Sequence, residues 1–148
     1  MMSGPSNVYC MDQREAGYRD EIRALGLTYQ NIFKLEDVTY ASARACVSAM
    51  QTLDIDAIAC VNDMMAMGVI NELNSRGTSI PGDIAVAGYD DLIFSKISPV
   101  PITTVKQDLT QVADIAARMI VGLIKAEEVQ EEVVIDCQVV HRDSTARP

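Results

Sequence analysis

Ala57-Ile58-Ala59-Cys60-Val61 is an unbroken apolar run that stops at Asn62-Asp63, and Ile84-Ala85-Val86-Ala87-Gly88-Tyr89 repeats the pattern, stopping at Asp90-Asp91. Continuous rather than alternating apolarity is what a parallel strand shows when helices cover both of its faces. Between the two runs, Met64 to Arg76 has helical periodicity, Gly77 stands in the C-terminal cap position, and Ile80-Pro81-Gly82-Asp83 supplies a turn. The three pieces read as one strand-helix-strand unit, because a parallel partner strand is reached only through a long crossover.

The alternation continues on both sides. Upstream, Ala16, Ile22 and Leu25 follow helical spacing and predict a helix over Gln13 to Leu25, with Gly26 as its left-handed stop. Ile32 to Leu35 predicts a brief strand, after which Thr39 or Asp37 can cap a helix carrying Ala43, Val47 and Met50 inward. Downstream, Leu92 to Pro101 holds two prolines and predicts an extended loop, followed by a short strand over Ile102 to Val105. Asp108 can cap a helix over Leu109 to Lys125 whose inner side carries Val112, Ile115, Ala116, Met119, Ile120 and Leu123, and Val133 to Val140 predicts a last strand. Strands alternating with helices in this way define an α/β protein with a doubly wound parallel sheet.

Composition narrows the function classes. A chain of 148 residues, 49% hydrophobic and 22% charged, is long enough to bury one core. A formal charge of -9 without a clustered Lys/Arg stripe argues against direct contact with a nucleic-acid backbone. The apolar stretches fall well short of the roughly 20 residues a membrane span needs, and Met1 to Asn7 lacks the charged and apolar regions of a signal peptide, so a cytoplasmic protein is expected. Cys10, Cys46, Cys60 and Cys137 are too widely spaced for a zinc or thiol redox motif and are expected to be reduced core thiols. His141 is the only histidine, which excludes a His-based triad and a multi-His metal site; no cofactor or metal is expected.

In an open parallel sheet a ligand binds beyond the carboxyl ends of the strands. The polar residues gather there: Asn62 and Asp63 close one strand, Asp90 and Asp91 the next, and Gln107 follows the third. A carboxylate can accept from two neighbouring hydroxyls, and an amide both donates and accepts, which is the inventory a polyol requires. The same residue types also cap helices and finish strands for purely local reasons. Met64, Met65 and Met67 read as core or subunit-contact filler, and Glu127, Glu128, Glu131 and Glu132 as a solvated turn.

These blocks together resemble the LacI/GalR family of bacterial regulators from Gly4 to Thr145. AIACVNDMMAMG (Ala57 to Gly68) is similar to the family's strand, Asn-Asp, small residue and Gly. IPGDIAVAGYDD (Ile80 to Asp91), SPVPITTVKQD (Ser98 to Asp108) and the closing Arg142-Asp143-Ser144-Thr145 follow in the family's order, and Gly4-Pro5 with Arg14-Glu15-Ala16-Gly17 precedes them. The resemblance implies a periplasmic-binding-protein-like type I fold, a small-molecule effector in its cleft, a homodimer, and DNA contact only through an N-terminal helix-turn-helix outside this chain. It implies an effector-binding and dimerisation domain over residues 1–148, mostly one lobe, with 106–126 packing toward a second lobe, and no enzyme.

Carried over by position, the resemblance places Arg14, Val38, Asn62, Asp90 and Gln107 against the effector, and Met67, Ile70, Asn71, Ile97, Ser98 and Pro99 at the dimer contact. Arg14 would supply a fixed fork of donors. Val38 stands where many members have a stacking aromatic, and Cys10 where a hydroxyl residue is frequent. Two rival readings remain at this stage: a sugar-binding protein of a transport system, which shares the fold, and an α/β enzyme using Asp63, Asp90 and Asp91 with a metal.

Overall fold

The computed structural model describes residues 1–27, 31–50 and 54–146. The elements run β1 (Met2–Ser3), α1 (Tyr9–Ala24), β2 (Phe33–Lys34), α2 (Tyr40–Ala49), β3 (Ala57–Ala59), α3 (Asp63–Ser75), β4 (Ala85–Ala87), α4 (Ile93–Ile97), β5 (Thr104–Lys106), α5 (Leu109–Ile124) and β6 (Gln138–Val140), ending in a 3-10 turn over Asp143–Thr145.

The strands are joined in the order β2-β1-β3-β4-β5-β6. β1 pairs with β2 and β3 with β4, both parallel. Parallel bridges between Met2 and Cys60 and between Ala87 and Thr103 connect these pairs to each other and to β5. The chain therefore leaves β1 in one direction to form β2 and returns past it to form β3, so the order reverses between β1 and β3, where doubly wound sheets form their crevice. Among the described residues this is the predicted α/β sheet with one departure: β6 pairs antiparallel to β5. The segment expected as strand from Val133 is strand only from Gln138.

α2 and α3 cover one face of the sheet. Ala43 and Val47 from α2, Met65, Ala66, Val69, Ile70 and Leu73 from α3, and Ile58, Cys60 and Val86 from the strands form the buried cluster. On the opposite face Ala57 is exposed and Ala59, Ala85 and Ala87 are half-buried, so the expectation of strands sealed on both faces holds fully for one face only. Alanine at these positions explains why the sequence reads as continuously apolar although the burial alternates. A groove lined by Met1, Tyr18, Ile22, Phe33, Ile55 and Ala57 opens along the amino half of the sheet on that side.

Helix starts follow local chemistry. Thr39 caps α2 through Ser42 N–H, Asn62 caps α3 through Met65 N–H, and Asp108 caps α5 through Gln111 N–H. Gly26 and Gly77 take positive φ beyond α1 and α3. Four expectations are corrected. α1 begins at Tyr9 rather than Gln13, Ala16 and Leu25 are exposed, and its inner side carries Met11, Arg14, Glu15, Tyr18 and Ile22. Glu15 can face inward because Arg19 and Lys34 approach its carboxylate to 2.9 and 3.0 Å. The segment Leu92 to Pro101 contains the short helix α4 instead of an extended loop. On α5, Val112, Ala116, Ile120 and Leu123 are exposed, with Ile115 and Met119 half-buried; of the cysteines only Cys60 is fully buried, while Cys10 and Cys137 are exposed.

α2 and α3 approach closely at Gly68, where a Cβ would lie 2.3 Å from the backbone carbonyl oxygen of Tyr40. A backbone atom cannot swing aside as a side-chain tip can, so Gly68→Ala should force the helices apart. The expected loss is about 1–3 kcal/mol, read as a lower urea midpoint at unchanged m-value; an unshifted midpoint would refute this account of the helix contact.

Candidate functional site

The polar groups at the carboxyl rim are organised by the end of β4. Gly88 N–H donates to Thr103 C=O and Asp90 N–H to Val105 C=O, both at 2.9 Å, which carries the β4-β5 pairing past the regular strand. There the chain takes two consecutive positive φ values, 111° at Asp90 and 51° at Asp91. Each such non-glycine conformation is costly, although Asp tolerates it better than most residues.

Asp90 receives Gln107 Nε2 at 2.9 Å on Oδ1, and the Arg14 guanidinium stands 3.5 Å from the same oxygen. Arg14 is fixed from two further sides: Nη1 donates to Val61 C=O at 2.7 Å, and its guanidinium carbon lies 3.6 Å above the centre of the Tyr89 ring. Arg14, Asp90 and Gln107 are thus brought together from α1, the end of β4 and the end of β5. Among the described residues Asp90 Oδ2 takes no hydrogen bond. Burial pushes the Asp90 carboxyl above its ordinary value; Arg14 and Gln107 oppose that shift and neighbouring Asp63 adds to it.

Asn62 and Val38 are used differently. Asn62 Oδ1 accepts from Met65 N–H at 2.8 Å as the α3 cap, while its Nδ2 donates to Val38 C=O at 3.0 Å. Asn62 keeps one N–H and one lone pair for other partners. Val38 packs its side chain against the core and beside Gly4. Asn62 follows Val61, whose carbonyl holds Arg14, so it borders the cluster and braces the loop before α2.

Asp91 faces away from the rim. Its side chain is only 6% exposed and is paired with Arg142, with Lys96 3.6 Å from Oδ2. Arg142 Nη1 also donates to Ile102 C=O at 2.8 Å, and Ser144 Oγ donates to Val86 C=O and accepts from Thr103 N–H. The closing Arg-Asp-Ser-Thr segment is therefore a clasp on β4 and β5. Sequence reasoning missed Tyr89 beneath Arg14 and the pairing of Arg142 with Asp91. The signal for Tyr89 was an aromatic directly before an acidic pair; Arg142 was singled out only within the closing Arg-Asp-Ser-Thr motif, and nothing there points to a partner 51 positions earlier. No group of three or more His, Cys, Asp or Glu able to hold a metal occurs among the described residues.

Of the dimer candidates, Ile70 belongs to the chain's own core at 2% exposure, which removes it from an interface, and Ser98 is also buried. Met67 is half-buried; Asn71, Ile97 and Pro99 are exposed. Ile97 is joined on α4 by Ile93 and Phe94, at 70, 62 and 46% exposure, a concentrated apolar patch.

The sheet order and this rim place the chain in a known class. It belongs to the periplasmic binding protein-like domain family, whose model matches residues 1–145. It is 29% identical over 97% of its length to the HTH-type transcriptional regulator CelR of Thermobifida fusca, and 31% identical over 80% to the HTH-type transcriptional regulator MalR of Clostridium butyricum. The chain spans 43% and 32% of those relatives' own length. A solved complex of the transcriptional regulator CelR with cellobiose superposes with a TM-score of 0.88 at 28% identity, over 97% of this chain and 45% of that one. No helix among the described residues is long and apolar enough to cross a membrane.

The raised Asp90 pKa has a definite sign in stability. The folded chain holds the Asp90 proton more tightly than the unfolded chain does, so this group favours folding at acid pH and the advantage is lost as pH rises through the raised value. Asp90→Asn should match the parent at acid pH and exceed it near neutrality, by less than about 1 kcal/mol because the side chain is partly solvated. Thermal midpoints of both proteins across this pH range test it; a parent at least as stable as the variant throughout would overturn the assignment.

Proposed function

We propose that this chain is the effector-binding and dimerisation part of a LacI-type transcription regulator, and that its effector is an uncharged, hydroxyl-rich molecule of the sugar class. The observation that carries the reading is the cluster of Arg14, Asp90 and Gln107 at the sheet's carboxyl rim, with Asp90 Oδ2 left to accept. The guanidinium already faces a carboxylate, a carbonyl and a ring, so an incoming anion would have to compete with Asp90 for it. Ligand hydroxyls can instead donate to Asp90 and accept from the remaining Arg14 and Gln107 protons without changing the local charge. The similarity to a regulator solved with cellobiose supports the same class.

The reading extends to the rest of the regulator. The exposed apolar residues of α5, Leu109, Val112, Ile120, Leu123 and Ile124, fit a helix that packs on a second lobe closing over the rim. Ile93, Phe94 and Ile97, with Met67, Asn71 and Pro99 nearby, fit an isologous contact in a homodimer. Operator DNA is reached through a headpiece elsewhere in the regulator, and a soluble cytoplasmic location follows from that role. The effector acts by binding one cleft state better than another, a linkage that needs no covalent chemistry.

A thermal-shift screen on the regulator carrying this chain tests the effector class, with cellobiose and other uncharged sugars against sugar acids and sugar phosphates. Uncharged sugars should raise the midpoint; at a hundredfold excess over Kd the stabilisation is about 2.7 kcal/mol. Asp90→Ala should weaken the binding by roughly a hundredfold, the loss of two charge-assisted hydrogen bonds. Stabilisation by anionic sugars alone, or unaltered affinity in Asp90→Ala, would defeat the proposal. In sedimentation, Ile97→Asp should convert the dimer to monomer by burying a charge at an apolar contact; an unchanged dimer would place the interface elsewhere.

A further inference from the structure

Asp63 is buried to 1% exposure and takes no part in the site described above. Its carboxylate accepts three hydrogen bonds, from Leu92 N–H at 2.9 Å and Ser95 Oγ at 2.8 Å on Oδ2, and from Thr104 Oγ1 at 2.6 Å on Oδ1. The donors come from the start of α4, from within α4 and from β5. Gly88 makes room for it, since a Cβ there would lie 2.2 Å from Asp63 Oδ1. Thr104 Oγ1, while donating to Asp63, accepts from Asp91 N–H at 3.3 Å. A continuous polar path therefore leads from the left-handed Asp90-Asp91 turn through Thr104 and Asp63 to Leu92 and Ser95, the residues that seat Ile93, Phe94 and Ile97.

We propose that Asp63 is the positioning residue that locks the Asp90-Asp91 turn and the α4 patch into one geometry, so that a change at the effector carboxylate is felt at the apolar patch. The inference rests on the effector-site and dimer reading above and adds the connection between the two. Nothing in α4 itself explains why it is helical: five residues are too few to hold a helix by propensity. Its seat is the Asp63 carboxylate, from a residue 29 positions earlier than Leu92. A network in which each acceptor has its donor is stiff, and removing one member loosens the remainder.

Amide hydrogen exchange over residues 92–98 of the full chain tests the proposal without needing an effector or a dimer. Asp63→Asn would disturb three buried hydrogen bonds at once, so the variants are Ser95→Ala and Thr104→Val, each of which removes one donor and keeps the carboxylate, with Thr104→Ser as the conservative rescue. Ser95→Ala and Thr104→Val should speed exchange over 92–98 by about tenfold, the usual effect of one lost hydrogen bond, while α2 and α3 amides keep their protection. Thr104→Ser should behave as the parent. Asp90→Asn should also change exchange over 92–98 in the parent, and add nothing further in a Ser95→Ala background, because a shared path makes the two effects non-additive. Exchange over 92–98 within twofold of the parent in both donor variants, or independent effects of Asp90→Asn and Ser95→Ala, would overturn the inference. Failure of sugar binding or of self-association would instead remove the functional reading, and is seen in separate measurements.

Discussion

The end of β4 is the constraint on which the rest of this structure depends. Two adjacent carboxylates of the same chemistry would point to opposite faces of a regular strand. Here both residues have positive φ, 111° and 51°, and the chain turns so that Asp90 meets Arg14 and Gln107 while Asp91 turns toward Arg142 and Lys96. The cost of that backbone, about 1–3 kcal/mol per residue, is offset by bonds that only this turn can make: Asp90 N–H to Val105, Asp91 N–H to Thr104, and the buried pair with Arg142. Releasing the turn would separate the rim cluster from its support and detach the closing segment of the chain from β4 and β5.

The extent to which sequence revealed this follows from the range of each interaction. Caps act over three residues, so Asp108 and Thr39, the latter beside Asp37 as an alternative, were legible, while Asn62 was read chiefly as an effector residue and proves to cap α3. The buried strands were legible because Ile58 and Val86 lie in the core, although the alanines between them hid an uncovered face. α1 was phased wrongly because its inner side is not apolar: Arg14 and Glu15 face inward on account of Val61, Asp90, Arg19 and Lys34, and a periodicity count cannot see those partners. α4 was read as loop for the same reason, its support being Asp63. At the rim, Arg14, Asp90 and Gln107 stand together, whereas the Asn62 side chain caps α3 and holds the Val38 carbonyl and the Val38 side chain packs on the core, contacts that no local pattern announces.

The departures in α5 and β6 share one cause. In a closed doubly wound sheet the last helix packs back and delivers its strand parallel. α5 instead buries little against this chain, only Gly122 being buried, and β6 returns antiparallel. An amphipathic helix forms stably through the face it buries. A sixteen-residue helix with Ile120, Leu123 and Ile124 in solvent thus carries an apolar face that the described residues leave uncovered, the face assigned above to the proposed second-lobe contact.

The three carboxylates Asp63, Asp90 and Asp91, which follow β3 and β4, can be ranked by how completely each is satisfied, and that ranking separates support from the recognition proposed for Asp90. Asp63 is sealed from water and accepts from three donors; Asp91 is nearly sealed and faces two cations. A group so occupied has little to gain from a ligand, because a new bond must break an old one. Asp90 is only half-buried, holds one amide donor and a guanidinium at 3.5 Å, and has its carboxyl pushed upward by burial. Its desolvation is thus incompletely compensated in the free chain. Hydroxyl donors arriving on Oδ2 would supply the missing compensation, and the same stiff neighbours that hold Asp63 and Asp91 keep Asp90 from finding it within the protein.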